Sequence, residues 1–423
     1  MYIQKVEIKN IRSISHFEMN FSKPAGWHVL IGDNGVGKST IIRSIALGLL
    51  GEDHAKALSS FEDFSNWLPP KSIKGEIEVS VSRDNTYDKP VYKMSKNGVA
   101  LSVISIEKKN GSGKVEISGQ IKPTTALWGK DSLSGWYTAA YGPFRRLRGG
   151  SDVFSHLNSS KPRLGACISA FRDDVALTQL TAWLKDLALD AAKKPKAKKD
   201  LQGIINFINK SKLLPNEAEL LDDIDSDGIR LRDANGVEVS LYEMSDGYRS
   251  VLSMTLDIIR FLIEIYGTDK VFENKEQEFI NLPGVVLIDE IDAHLHPTWQ
   301  TRIGQWFTKY FPNIQFIVTT HSPLVCRACE NGSIWRLASP NSGEKSAEIT
   351  GIEKNKLIYG NILDAYGTEV FGSAPVRSEK SEDMLSRLGS LNIKFALSKT
   401  TTSEEDERLK LQQILSTDAP TGF

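Results

Sequence analysis

Three cysteines in 423 residues, Cys167, Cys326 and Cys329, are too few and too unevenly placed for a disulfide framework, and they point to a reducing compartment. No apolar run approaches the roughly 20 residues that span a bilayer. The N-terminus, Met1 to Ile8, alternates polar and apolar residues like a strand rather than a signal peptide. The expected location is the cytoplasm, with no membrane partner. An excess of one charge is missing too: 52 basic against 53 acidic side chains leave a net charge of −1, so no global basic field marks a nucleic-acid binder. Contact with nucleic acid is possible only through a local patch. Internal repeats and long low-complexity segments are absent. What remains is a globular composition, 40% hydrophobic and 25% charged, on a chain long enough for two or three lobes.

The strongest pattern is Gly32-Asp33-Asn34-Gly35-Val36-Gly37-Lys38-Ser39-Thr40, which matches G-x-x-x-x-G-K-[S/T] at every fixed position. An apolar strand, Trp27 to Ile31, leads in, and a helix beginning at Thr40 leads out. Glycines at 32, 35 and 37 let the backbone approach a polyphosphate, and the N–H groups at the helix start point at it. Lys38 is expected to reach the β- and γ-phosphates of ATP, with the Ser39 hydroxyl on Mg²⁺. Gly32, Asn34, Gly35, Gly37, Lys38, Ser39 and Thr40 are therefore the expected nucleotide contacts.

Around this loop the chain reads as α/β. Tyr2 to Lys9 and Phe17 to Phe21 are further strands; Gly75 to Ser82, Val91 to Met94, Leu101 to Ile106 and Val115 to Ile121 form an antiparallel sheet. Residues 151–227 read as a helical insert, with apolar residues three and four apart in Leu164 to Arg172, Ala176 to Ala192 and Leu201 to Lys210. Lys193 to Lys199 inside it reads as a solvated loop or, alternatively, as a phosphate-backbone contact. A hairpin about Asp233 to Gly236 and a long helix from Tyr248 to Tyr266 follow. Val285 to Ile288, the helix Thr298 to Tyr310 and Ile314 to Val318 make a βαβ unit. The lobes drawn are 1–150, 151–227, 228–340 and a C-terminal helical extension, 341–423, with helices at Met384 to Ala396 and Glu404 to Ile414.

Chemistry accompanies these elements. Asp289 ends a buried strand, where a second Mg²⁺ partner belongs, and Glu290 next to it suits a general base for an attacking water. His321, after the following strand, is placed to hydrogen-bond a γ-phosphate or that water. Ser245 reads as an N-cap; with Gly247 it also makes a second anion site at a helix N-terminus. One phosphate loop and two anion sites imply a head-to-tail homodimer or higher oligomer, each chain's Ser245–Gly247 end closing over the other's ATP.

This order of motifs resembles the ABC-type ATPases: Gly32 to Thr40 as Walker A, Met244 to Arg249 as signature, Val285 to Glu290 as Walker B, Ile291 to His294 as D-loop and His321 as switch histidine. Ile8 to Ile14 and the Ser-Asp-Gly-Tyr-Arg signature resemble the RecF and SMC branch; the resemblance implies that Arg12 and Ser13 lie by the nucleotide. Tyr141 to Arg146 and Leu363 to Thr368 resemble the PtuA-like ATPases of Septu and retron antiphage systems. The resemblance implies an ATP-hydrolysing switch that dimerises on ATP and gates a separate effector, a nuclease. The alternative is a RecF-like repair or DNA-organising ATPase that binds duplex DNA itself. Sustained heptads are lacking between Lys38 and Ser245, so SMC-type arms are not expected. The glutamine that family members use beside Mg²⁺ has one weak candidate, Gln120. Arg145 and Arg146 read as surface-loop residues or as contacts to nucleotide or partner. Cys326 with Cys329, and Asp292 with His294 and His296, read as packing rather than metal sites. No nuclease motif is recognisable.

Overall fold

The protein is described by a computed structural model covering residues 1–88, 98–109, 115–122, 135–145, 161–172, 178–214, 217–225, 228–273, 279–339, 343–360 and 379–415. The strand expected at Val91 to Met94, Arg146 and the phrase Leu363 to Thr368 lie outside these residues. The chain forms two compact units, Met1–Ile362 and Leu363–Phe423.

In the first unit, β3 (Gly26–Ile31), β11 (Gly284–Ile288) and β12 (Ile314–Thr319) are buried along their whole length. Their uninterrupted apolar runs suit strands covered on both faces. They form a six-stranded sheet with β7 (Thr138–Tyr141), β13 (Gly332–Arg336) and β14 (Ala347–Ile349) in the order β14-β13-β3-β12-β11-β7. Pairing is parallel from β13 to β7, and β14 alone runs antiparallel. The helix α6 (Pro297–Tyr310) joins β11 to β12, the βαβ unit that the pattern implied.

A second sheet is antiparallel throughout: β2 (Ile14–Asn20), β1 (Tyr2–Ile11), β4 (Lys74–Ser82), β5 (Val99–Lys108) and β6 (Val115–Lys122), in that order. Helix α1 (Lys38–Leu58) packs on β4, β5 and β6 and also on β12 of the parallel sheet. A helix between two sheets is apolar all round, and Ile41, Ile42, Ile45, Leu47, Leu49 and Leu50 are all buried. Each contributes about 1.5–3 kcal/mol of transfer free energy before entropy. A Cβ on Gly48 would stand 2.4 Å from Val79 Cγ2, so helix and sheet meet at the closest approach a side chain would forbid.

Several expectations change. The acidic stretch assigned to the helical insert contains a strand, β8 (Glu219–Asp225), which pairs with β9 (Gly228–Arg232) across position 227; β9 in turn pairs with β10 (Glu238–Ser240). The hairpin about Asp233 is as expected, its carboxylate accepting from Asn235 and Val237 N–H at 2.9 and 2.8 Å. Leu164 to Arg172 forms only a short helix, α2 (Pro162–Cys167), followed by a 3-10 turn. Next come α3 (Thr178–Ala191) and α4 (Pro195–Lys210). The lysine run is therefore not all loop. Pro195 starts α4 at a position where its missing N–H costs nothing, and buried Ala197, Leu201 and Ile204 leave Lys196, Lys198 and Lys199 on the exposed face. The signature stretch leads into α5 (Asp246–Tyr266), and α7 (Gly351–Tyr359) lies within the stretch read as a C-terminal helical extension.

The second unit contains α8 (Glu379–Ala396) and α9 (Thr402–Leu415), the expected helical pair. Arg387 pairs with Glu407 at 2.7 Å and Lys394 with Glu404 at 2.6 Å. Thr401 and Glu404 form a capping box at the start of α9.

Candidate nucleotide site

Four neighbouring parallel strands deliver the motifs to one edge. Register pairs Leu30 of β3 with Thr319 of β12, Val318 of β12 with Ile288 of β11, and Ile288 with Tyr141 of β7. The phosphate loop, Thr320-His321, Asp289-Glu290 and Gly142 to Arg145 thus leave the sheet side by side at its carboxyl end, the edge where open α/β sheets bind ligands.

In the loop, Gly35 and Gly37 have φ of 78° and 101°, left-handed values that glycine adopts without strain. A Cβ on Gly35 would meet nothing within 4 Å, so open space faces it. Gly37 caps α1 without a side-chain hydrogen bond, and the first turn carries no acid. The helix N–H groups are left for an anion, which is what a triphosphate requires. Lys38 is buried and donates to the Gly32 and Asp33 carbonyls at 2.7 and 2.8 Å. Burial lowers its pKa, while Asp289, Glu290, Asp33 and Asp292 push back upward. The loop lysine thus lies within the field of the acids at the neighbouring strand end. Ser39 is half-buried, Thr40 buried and Asn34 exposed. Ser13 Oγ lies 3.2 Å from where a Gly37 Cβ would sit, so the β1–β2 turn rests on the loop. Arg12 turns instead over the Trp67 ring at 4.8 Å and toward Glu62 at 3.7 Å.

Asp289 is 1% exposed. Its carboxylate accepts from Thr319 Oγ1 at 2.6 Å, and the same hydroxyl accepts from the Glu290 N–H at 2.7 Å. Glu290 has φ of 48°, left-handed in a residue with a side chain, a conformation that persists where the surroundings over-determine it. Its carbonyl accepts from Ala293 N–H at 3.0 Å and from Arg145 Nη2 at 3.1 Å. His321 is exposed, and its N–H donates to Asp292 Oδ2 at 3.4 Å.

Ser245 and Gly247 divide inward and outward. Ser245 is exposed and occupies the N-cap of α5, yet its hydroxyl makes no capping bond. Gly247 is buried, and a Cβ there would stand 2.5 Å from the His294 carbonyl oxygen.

The sequence did not yield the role of Arg145. It is neither a surface residue nor turned outward to a partner: it is 7% exposed and donates to Ser250 Oγ (2.7 Å), Gly142 O (3.1 Å), Asp289 O (2.9 Å) and Glu290 O (3.1 Å). Only the strand β7, which brings it beside β11, could have revealed this. Gln120 is exposed on edge strand β6; its neighbour Gly119 lies against Glu52, 14 positions past Lys38 on α1, about 20 Å along a helix. Cys326 and Cys329 are fully buried and burial raises both thiol pKa values, which favours packing over metal or redox chemistry. His296 caps α6 by accepting from Thr298 N–H at 3.4 Å. Among the described residues, the one metal-spaced cluster is Glu7, His16 and Glu18, not the D-loop group.

Residues and fold together define a P-loop ATPase of the ABC type. An AAA domain model matches residues 5–225, just over half of the chain, and the chain belongs to that AAA domain family. A second AAA domain model, described with a type IV TA system, matches residues 168–327. The Septu protein PtuA of Bacillus mycoides is 28% identical over 358 residues, 82% of this chain and 42% of that protein. The "Retron Ec83 probable ATPase" of Escherichia coli is 39% identical over 120 residues, 28% of this chain and 20% of that one. The chain thus spans about two fifths and one fifth of these relatives. Among solved structures, the SmcHead bound to the C-winged helix domain of ScpA aligns with a TM-score of 0.51 at 17% identity, over 84% of this chain and 100% of that one. That likeness concerns the fold. No helix among the described residues is long and apolar enough to cross a membrane.

Proposed function

We propose that this chain binds and hydrolyses MgATP, closes head to tail on a second copy when ATP is bound, and so gates a separate effector, a nuclease, in antiphage defence. The observation that carries the hydrolysis is the meeting of Lys38, Asp289, Glu290 and His321 at the ends of adjacent strands.

The N–H groups of α1 and the Lys38 ammonium hold the phosphate tail. Ser39 and Asp289 would hold Mg²⁺, which neutralises charge building on the phosphate oxygens. Glu290 takes a proton from water as the water oxygen bonds to the γ-phosphorus; the bond from that phosphorus to the β–γ bridging oxygen breaks, and ADP leaves with its electron pair. His321 donates to a γ-phosphate oxygen. The exposed, uncommitted Ser245 hydroxyl supports the trans role, since it contributes no cap to its own helix. The defence setting and the separate effector rest on the likeness to the Septu and retron ATPases.

Glu290→Gln is expected to bind ATP, stop turnover and accumulate as a dimer. Light scattering of that variant with MgATP is the test; a monomer mass at every ATP concentration would overturn the dimer reading.

A further inference from the structure

Arg145 is an expensive residue to bury. Among the described residues its donors meet three carbonyls and one hydroxyl, with no carboxylate in ion-pair contact. An apolar side chain would fill that space with less desolvation penalty, and burial does pull its pKa down, to about 10. It still carries its charge at neutral pH, close enough to Asp289, Asp292 and Glu290 for each to oppose the downward shift.

Beyond the local bond to Gly142 O, its contacts fall into two groups. One is the backbone of the acid pair: Nη1 on Asp289 O and Nη2 on Glu290 O, two successive carbonyls held by a planar fork. Glu290 needs such holding. Its φ of 48° turns the chain sharply; the Thr319 hydroxyl fixes the N–H on one side and Arg145 the carbonyl on the other. The other group is Ser250, on the buried face of α5 and the first residue after the signature. Two turns further along, Asp257 accepts from Tyr141 Oη at 3.0 Å and pairs with Arg260 at 2.7 Å. Helix α5 is thus tied twice to the end of β7, and the tie at Ser250 continues directly to Glu290.

We infer that Arg145 is a positioning residue for ATP hydrolysis, fixing the Glu290 backbone and linking it to the signature helix through Ser250. This rests on the hydrolytic reading above and adds a route within one chain. A shift of α5 when its N-terminus engages a nucleotide moves Ser250, hence the guanidinium, hence the base. Lysine keeps the charge but not the fork.

The full chain is assayed for ATP hydrolysis and for binding of a fluorescent ATP analogue, as native protein and as Arg145→Lys, Arg145→Ala, Ser250→Ala and Glu290→Gln. Arg145→Lys is expected to keep its nucleotide Kd within about threefold while kcat falls about 30- to 100-fold, the penalty of a base misplaced by roughly an ångström. Millimolar guanidinium, but not ammonium, is expected to restore part of the Arg145→Ala rate. Ser250→Ala, which leaves the fork on the carbonyls, is expected to lower kcat about three- to tenfold with Kd unchanged. Hydrolysis missing from native protein, or equal in Glu290→Gln, overturns the reading underneath and this one with it. Native hydrolysis abolished by Glu290→Gln yet within twofold in Arg145→Lys overturns this inference alone, as does a loss confined to Kd. If the Arg145 variants do not fold, an unchanged kcat in Ser250→Ala overturns it.

Discussion

Thr319 offers a clean perturbation of the site, because one hydroxyl serves both acids. It donates to Asp289 Oδ1 at 2.6 Å, accepts the Glu290 N–H at 2.7 Å, and is fully buried. Thr319→Val keeps the shape and removes both bonds. Loss of a hydrogen bond to a charged acceptor is worth about 1.5–3 kcal/mol, and an orphaned buried N–H about 1–3 kcal/mol. The lower ends together give about 2.5 kcal/mol. Part of this weakens folding; the part felt at the acids raises the hydrolytic barrier, and about 1.4 kcal/mol there is already tenfold in rate. Steady-state hydrolysis at saturating MgATP is expected to fall at least about tenfold in Thr319→Val and to remain near native in Thr319→Ser, which keeps the hydroxyl. A Thr319→Val rate within twofold of native would refute the reasoning. So would equal damage in Thr319→Ser, since the missing methyl would then be the cause.

The signature residues predict opposite outcomes in one chain. Gly247→Ala forces a Cβ toward the His294 carbonyl 2.5 Å away and is expected to cost about 1–3 kcal/mol of stability in the monomer, read as a lower thermal midpoint without ATP. Ser245→Ala removes a hydroxyl that caps nothing, so it is expected to leave that midpoint unmoved and weaken only ATP-dependent dimerisation; a drop of several degrees would show that it does cap α5. His28 supplies a pH dependence. Burial pulls its pKa from 6.5 down to about 4, against the Pro24 carbonyl that raises it and with the Lys354 charge that lowers it further. The folded protein prefers neutral His28, so this contribution is complete above pH 6.5 and fades as pH falls toward 4, a loss of about 2 kcal/mol at pH 5. In His28→Gln the fall in unfolding stability between pH 7.5 and 5 should be shallower by that amount; an unchanged slope would place the titration elsewhere.

Legibility in this sequence follows from how local each signal is. The phosphate loop, Asp289-Glu290 and His321 each stand at the end of an apolar run, so strand, turn and functional side chain share one short window. Strand β7 has no such window: Thr138 to Tyr141 includes two alanines, and only its pairing with β11 makes it part of the sheet. Arg145 inherits that obscurity. The acidic β8 misleads because charge dominates its composition, although the pairing of Leu220 with Leu231 supplies the buried contact. The lysine run misleads likewise, since its sparse apolar residues become a helix face only with the remainder of α4.

The arrangement gives the signature two kinds of contact that act on the same backbone. Gly247 bears on His294, at the end of the D-loop, and His294, like Glu290, has a left-handed φ. Between them Ala293 N–H returns to the Glu290 carbonyl and Leu295 N–H to the Asp292 carbonyl, both at 3.0 Å, so the turn is a closed hydrogen-bonded unit. Asp292 then accepts the His321 N–H. In the proposed head-to-tail pair, pressure on the N-terminus of α5 would therefore have two routes to Glu290: Gly247 through the D-loop turn, and Ser250 through Arg145. Both converge on the Glu290 carbonyl, which accepts from Ala293 and from Arg145. A double variant, Arg145→Ala, which deletes one donor, with Ala293→Pro, which deletes the other, should then lose more rate than the two single changes predict separately, because each donor alone still restrains the same oxygen. Strict additivity of the two losses would mean that the routes act on different steps.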